Sequence, residues 1–590
     1  MADPGQNPIF AAKRGGSLWM ALTCIGLGFA WVWACLWYPL TDTDIWWHLA
    51  AAKLMRARME FLRVDPFCQS SLGAPWIDLH WGFQVLAYMG WKLGGAGALI
   101  AGKCAAVAGA LAFALRPHFH RRTWPWLLPM AALGIYHVRF FLDVRPIALT
   151  LLGLGIQYSV TMEFLRGNLR RPWLILVPVQ IAMANIQGLY PLGAILVSCL
   201  ALGEFAARSG IGAGLRDAGS EGPVDPRSAS RNPIGLAPLA WTVAGLWIAG
   251  FATPYGLNGF LLPLSLLARI TPLPSNVFSR EIAENLPFSE LLYREAASAL
   301  VLMALAAFVL YTFLRARKRT SPGHLLLFLA FSILGCMAQR NLPLALLAGL
   351  MAAGRNLQVT QGSGDARRGL AIGAGALACI AAFYGPRIHR AWDYELPGKL
   401  ETPFRFPATA VDLLAAHPIP GNLFNELRYG GYLEFRLYPK LTYVDGRMIL
   451  RSAAFYRDFL EAVDTPERFT GYAAEHGLTH ALLPIAEDRR FLPLAARLIA
   501  DGWALVYCDG ASALLVEPAV LDSDALSPGG LAGMPLDSLD DHHPLWSSLR
   551  ARFSGNPTLL NLARGNAVAL LQAAGKARAA ADLALMKIPE

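Results

Sequence analysis

Apolar residues run along this chain in long unbroken stretches, not in the alternation of half-buried strands. A helix that crosses a bilayer needs about 20 mostly apolar residues, within a range of roughly 17–25. On that measure spans are predicted near 17–39, 95–115, 123–139, 146–163, 172–186, 188–207, 237–254, 297–314, 322–339, 341–354 and 369–385. Several are short and pair around a polar tip: Arg139/Asp143/Arg145, Asn185/Gln187 and Gln339/Arg340/Asn341. A backbone that turns at membrane depth must be buried in protein or line a wet cavity. The stretch 256–270, after Pro254-Tyr255-Gly256, reads as an interfacial helix.

Beyond residue 385 the pattern changes to short mixed elements. Strands are predicted at Leu441–Val444, Ala481–Leu483, Ala504–Tyr507 and Ala513–Val516, the last two joined by a Cys508-Asp509-Gly510-Ala511 hairpin turn. Helices fit 451–463, 466–476 and 488–501. The expected organisation is mainly α: a tail at 1–16, a transmembrane bundle at 17–385 with a long first outer loop at 40–93, and a small α/β domain at 386–520. A Ser/Pro/Gly/Asp-rich linker at 521–545 follows, then a helical tail at 546–590 that looks like one tetratricopeptide unit. One such unit cannot bury a solenoid core alone, so it is expected to cap the domain or to meet a protein partner.

Charge fixes the orientation. Only 16% of residues are charged, against about 25% in soluble proteins. The net charge of +10 sits in short basic clusters between apolar runs, which is the positive-inside pattern and not a nucleic-acid face. With eleven spans, basic loops such as Arg116/Arg121/Arg122 and Arg315/Arg317/Lys318/Arg319 fall on the N-terminal, cytoplasmic side. The acidic segment 271–296 and the α/β domain fall outside. Lys13 and Arg14 precede an apolar run too long for a signal-peptide core. Eight scattered cysteines without CxxC spacing suggest neither a disulfide framework nor a cysteine-bound cofactor.

Candidate chemistry concentrates in the first outer loop. It opens Thr41-Asp42-Thr43-Asp44-Ile45-Trp46-Trp47-His48 and continues through Asp65-Pro66-Phe67 to Pro75-Trp76-Ile77-Asp78-Leu79-His80-Trp81. An acidic pair at the mouth of a bundle suits a general base or, with waters, a divalent cation such as Mg²⁺ or Mn²⁺; a solvated helix end among aromatic anchors is the plainer reading. His48 and His80 suit orienting a carboxylate, binding a metal, or a structural hydrogen bond. Glu281 and Glu284 share a spacing that puts both on one face. Lys103, in mid-span, is expected to pair inside the bundle, and Asp445-Gly446-Arg447 reads as a tight corner.

These strings, together with Arg145-Pro146, Asn185-x-Gln187-Gly188, Arg340-Asn341-x-Pro343, Phe424-Asn425, Gly430-Gly431-Tyr432 and Asp445-Gly446-Arg447, resemble a bacterial group of GT-C-type membrane glycosyltransferase-like proteins over most of residues 40–520. The resemblance implies a multi-pass protein of the bacterial inner membrane with its C-terminal domain periplasmic or extracellular. It implies sugar transfer from a polyprenyl-phosphate-linked donor to a hydroxyl, with Asp44 or Asp42 as base. Arg139, Arg145 and Arg340 are the candidate partners of the lipid phosphate, since Arg recognises phosphate bidentately, and Asn341, Asn185, Gln187, His48, His80 and Glu284 complete the candidate site. The chain departs from the pattern at Gln187, where His is expected, which removes a titratable group. That departure and the tail favour an alternative, a non-catalytic envelope scaffold. A transporter is a third reading, against which no inverted repeat is evident.

Overall fold

The computed structural model describes residues 26–119, 123–209, 236–273, 275–360, 366–390, 400–521 and 531–588. The tail 1–16, the start of the first predicted span, most of loop 208–231 and the front of the expected linker lie outside the described residues.

The chain is mostly helical. Helices occupy all eleven apolar stretches: Gly26–Leu36, Trp81–Leu115, Trp124–Val138, Ile147–Leu165, Trp173–Ala184, Pro191–Arg208, Leu236–Ala249, Ala296–Arg315, Pro322–Met337, Leu342–Thr360 and Ala366–Arg390. Among the described residues, five helices are long and apolar enough to cross a membrane: Trp81–His118, Ile147–Leu165, Pro191–Arg208, Ala296–Arg315 and Gln339–Thr360. The helix Trp81–Leu115 begins well before the predicted residue 95. Gly94 and Gly95 leave helical geometry there and fuse the last helix of the outer loop onto the span through a kink. Small residues let helices approach closely where lipid supplies no hydrophobic drive. A side chain at Gly155 would meet the Ala110 carbonyl oxygen at 2.6 Å, on the helix it packs against. The helix Gly256–Ile270 exposes Leu257, Leu261, Leu264 and Leu267 along one side. Lys103 is buried, with its Nζ 3.6 Å from the centre of the Tyr38 ring.

The C-terminal part, the outer domain of the expected topology, holds a four-stranded sheet, β1 (Asn422–Asn425), β2 (Leu478–Pro484), β3 (Ala504–Cys508) and β4 (Ser512–Val516), in the order β1-β2-β4-β3. β1 runs parallel to β2, and β3 and β4 form the antiparallel hairpin. The strand expected at Leu441–Val444 is not in the sheet. Its residues have strand character, but their backbone pairs with the first outer loop: Gln69 N–H donates to Thr442 O at 2.7 Å and Thr442 N–H to Phe67 O at 3.0 Å. The Asn425 side chain takes the Tyr443 N–H at 2.8 Å. The tail helices Pro557–Ala573 and Ala577–Leu585 pack on this part, where Asn566 donates to Gly510 O at 3.0 Å.

Two further contacts bind the outer part to the bundle. Residues 400–402 pair with the end of the first predicted span, through Leu40 N–H to Leu400 O at 2.8 Å and Thr402 N–H to Leu40 O at 3.0 Å. The helix Leu427–Leu437 lies against the first-loop helix Asp44–Arg58; a side chain at Gly431 would stand 2.8 Å from Trp47 N. Both place outer-domain backbone beside the acidic pair.

Candidate functional site

The chain enters the first-loop helix through Thr41-Asp42-Thr43. The Asp42 carboxylate accepts the Asp44 N–H at 3.2 Å, so the acidic pair is part of the helix N-terminus, where negative charge is favoured. The Asp42 side chain is 1% exposed and that of Asp44 31%. Of this pair, Asp44 is the one open to an incoming molecule.

Arg145 reaches into the same place from its own polar tip. Its Nε and Nη2 donate to Asp42 Oδ1 at 2.9 and 2.7 Å, Nη2 lies 3.2 Å from Asp44 Oδ2, and Nη1 donates to Glu284. One guanidinium therefore gathers three carboxylates from distant parts of the sequence. Glu284 sits on a single turn, Ala283–Asn285. Gln339 holds the following residues, donating N–H to Leu286 O at 3.0 Å and Nε2 to Pro287 O at 3.1 Å. Next to Gln339, the half-buried Arg340 lies close enough to feel the charges of Glu284, Arg145 and Asp44, and it makes no hydrogen bond or ion pair among the described residues. Arg405 donates to Thr41 O at 3.0 Å and pairs with Glu487, and its charge also reaches Glu284.

Burial dominates the electrostatics. It pushes Asp42 up to about 7 and raises Asp44 as well, in both cases against the pull of Arg145. For Glu284 the balance reverses: burial acts upward, but Arg145 holds the carboxyl below its usual range.

The remaining predicted residues divide. His48 is buried, packed tilted against Trp47 with ring centres 3.6 Å apart, and its ring is 5.4 Å from the His80 ring. Burial lowers its pKa well below the usual value and keeps it neutral. His80 lies 3.6 Å from Asp78. Asn185 spends its amide on the fold, accepting from Trp81 at 2.8 Å and donating to Ile181 O and Ala252 O at 2.8 and 2.7 Å. Gln187 accepts from Thr150 at 2.6 Å and Asn341 donates to Leu334 O at 3.1 Å. Arg139 lies over the Tyr136 and Phe140 rings at 3.9 and 4.2 Å and donates to Tyr136 O. It shares a tip with Arg145 but joins none of the three carboxylates.

Arg405 carries no signal in the sequence, and Asp445-Gly446-Arg447 reads there as a tight corner and a family landmark. Gly446 lies against the Asp44 carboxylate, so a side chain there would have to push the tip of Asp44 aside. Behind it lies a fully buried charge network. Arg447 meets Asp65 at 2.9 Å, Glu434 at 3.3 Å and Asp445, and Arg451 meets Asp445 at 2.7 Å. Cys68 donates to Glu434 at 3.2 Å. Cys68, Glu434 and Asp445 bring ligand atoms within 4.8 Å of one another, a grouping of the kind that holds a metal ion. Two arginines already supply its positive charge. Arg447 and Arg451 hold Asp445 well below the usual carboxylate range despite burial, while burial and the neighbouring Asp445 push Glu434 well above it. The network balances when Glu434 keeps its proton: two carboxylates face two guanidiniums.

No protein-family model matches the chain, and no curated protein matches it in sequence. Among solved structures it is similar to the archaeal oligosaccharyltransferase AglB of Archaeoglobus fulgidus in complex with an inhibitory peptide and a dolichol-phosphate. There the TM-score is 0.49 at 12% identity, over 83% of this chain and 73% of that one. The same organism's oligosaccharyltransferase with Zn and sulfate gives 0.49 at 13%, over 84% and 73%. Its apo form gives 0.45 at 13%, over 81% and 71%. These likenesses are loose.

Proposed function

We propose that this chain is an integral membrane glycosyltransferase of the GT-C type. It transfers a sugar from a polyprenyl-phosphate-linked donor to an acceptor hydroxyl at the outer face of a bacterial inner membrane. One observation carries the reading: a carboxylate that is 31% exposed, Asp44, lies within reach of the charge of Arg340, a cation that makes no hydrogen bond or ion pair among the described residues. An acceptor hydroxyl needs a base within hydrogen-bond reach, and a departing lipid phosphate needs fixed cationic donors. Asp44 takes the acceptor's proton. Arg340 receives the phosphate. Asp42 accepts the Asp44 N–H and anchors Arg145, which fixes the direction of Asp44 and Glu284.

This reading narrows the candidate phosphate ligands to one. Arg145 is spent on carboxylates and Arg139 on aromatic rings and a carbonyl. Replacing Arg340 by Gln is expected to raise KM for the lipid donor by about tenfold or more, the scale of a lost charge-assisted hydrogen bond. Mass spectrometry of lipid extracted from the purified protein is the companion test. A polyprenyl phosphate retained by the native chain and depleted in Arg340→Gln supports the reading. An unchanged KM together with no such lipid overturns it.

Gly446 offers a second check. A methyl group there would displace the tip of the Asp44 side chain and leave the surrounding backbone in place. Gly446→Ala is expected to lower kcat by about 10²-fold, the cost of misplacing a reacting group by roughly 1 Å. The melting temperature should stay near that of the native protein. Turnover and thermal unfolding, measured on the same preparation, separate the two effects.

A further inference from the structure

The helix Gly256–Ile270 exposes Leu257, Leu261, Leu264 and Leu267 along one side. Arg269 comes two residues after the last of them, about 200° further round the helix. Its half-buried guanidinium takes the carbonyls of a neighbouring turn: Nη1 donates to Met448 O at 2.6 Å, and Nη2 to Ile449 O and Arg451 O at 3.3 and 3.2 Å. Met448–Leu450 is a single 3₁₀ turn. The last carbonyls of a helix lack partners within it, and a cation that gathers them fixes where that helix end lies.

This turn continues the Asp445-Gly446-Arg447 corner. Met448 N–H donates to Gly446 O at 2.8 Å and Leu450 N–H to Arg447 O at 3.0 Å. The turn is thereby tied to Gly446, which lies against the Asp44 carboxylate. Arg447 and Arg451 hold the corner through the Asp445 side chain; Arg269 adds the carbonyls that follow it, from a different element of the fold. Arg269 also stands over the Phe278 ring at 4.5 Å, and Asn276 Nδ2 donates to Arg269 O at 2.8 Å. From there the chain runs to Glu284, the third carboxylate that Arg145 holds. Two segments that reach the acidic pair, 446–451 and 276–284, are thus tied to one residue.

We infer that Arg269 is a positioning residue of the site, holding Asp44 in line through the Met448 turn and Gly446. It takes no part in proton transfer or phosphate binding. The inference rests on the transferase reading for what Asp44 does, and on these hydrogen bonds alone for how it is held.

The test is Arg269→Gln in the full-length chain, reconstituted in phospholipid nanodiscs and read in two ways. Amide hydrogen exchange at residues 448–451 should rise by about tenfold or more over the native chain, as a local opening becomes easier. In turnover with a panel of polyprenyl-phosphate-linked hexoses, kcat should fall by about tenfold and KM for the lipid donor stay within about twofold, because Arg340 is untouched. On a Gly446→Ala background the same substitution should cost less than about twofold more, since residues that act through one contact do not add. Arg269→Lys keeps the charge but not the fork of donors; it should fall between the native chain and Arg269→Gln, and it carries the test where the Gln variant does not fold. Unchanged exchange at 448–451 overturns the inference whether or not the chain transfers sugar. So does a native kcat in Arg269→Gln, or a fully additive loss in the double variant. A native chain that transfers no sugar defeats the transferase reading instead, and the exchange result then decides whether Arg269 holds the corner.

Discussion

Asp44→Asn is expected to lower sugar transfer by about 10²–10⁴-fold, the usual contribution of a positioned general base, while leaving the protein folded. The side chain is about the same size, its exposure is 31%, and its one ion pair is the longest of the three that Arg145 makes here. Asn keeps a hydrogen-bond acceptor toward Arg145 but cannot take a proton. Asp42→Asn should differ. That carboxylate is buried and accepts two bonds from Arg145, so its loss is expected to weaken the fold as well as the activity. The acid limb of kcat/KM follows from burial. A base must be deprotonated, so activity falls as pH drops through its pKa. Asp44 is raised above the ordinary carboxylate value of about 4, beside Asp42, which is pushed up to about 7. The limb is therefore expected above pH 4, moving further up in Arg145→Gln, where the charge that opposes burial is gone. An Asp44→Asn protein with native turnover would remove Asp44 from the mechanism. The scaffold alternative makes the opposite prediction for Asp44→Asn, with no effect, and expects loss of residues 545–590 to release a partner.

Much of this architecture is legible in the sequence because a membrane restricts the choices. Apolar length locates the helices, and the polar tips at Arg145 and Arg340 stand out because charge is costly there. What is not legible is which tip residue faces which. Arg139 and Arg145 are equivalent by type and spacing, yet one lies on aromatic rings and the other joins three carboxylates. Asp42 and Glu284 belong to one site only because Arg145 spans them, and local pattern does not encode pairing over such separations. Leu441–Val444 shows the same limit from the other side. Its β-branched and aromatic residues give strand character, but the first outer loop and the Asn425 side chain take its hydrogen bonds. Gly446 carries no signal in composition; its role comes from the neighbour that folding brings against it.

Arg447→Met is expected to destabilise the protein by about 3–5 kcal/mol, the scale of leaving a buried charge unpaired. Arg447 is 3% exposed and its side chain contacts Asp65 in the first outer loop and Asp445 and Glu434 in the outer domain. Without it, two ionised carboxylates face Arg451 alone. The loss should be felt first where the outer domain meets the loop, because residues 65–71 and 434–451 are joined through this network and through the backbone pairing at Thr442. Protease cutting in either segment, followed against thermal unfolding, measures it. Glu434→Gln should be tolerated, since the amide supplies a donor where the protonated carboxyl now holds its hydrogen. The two variants also differ in pH response. Glu434 has a folded pKa well above its unfolded value of about 4.3, so its contribution is fully present at low pH and is lost as pH rises through the raised value. Native protein should therefore lose stability toward alkaline pH more steeply than Glu434→Gln. Gly446 sits between Asp445 and Arg447 of that network and lies against Asp44, so a partial opening here should lower turnover before the chain unfolds. An Arg447→Met protein with native melting and native protease resistance would show that the network does not hold the outer domain to the loop.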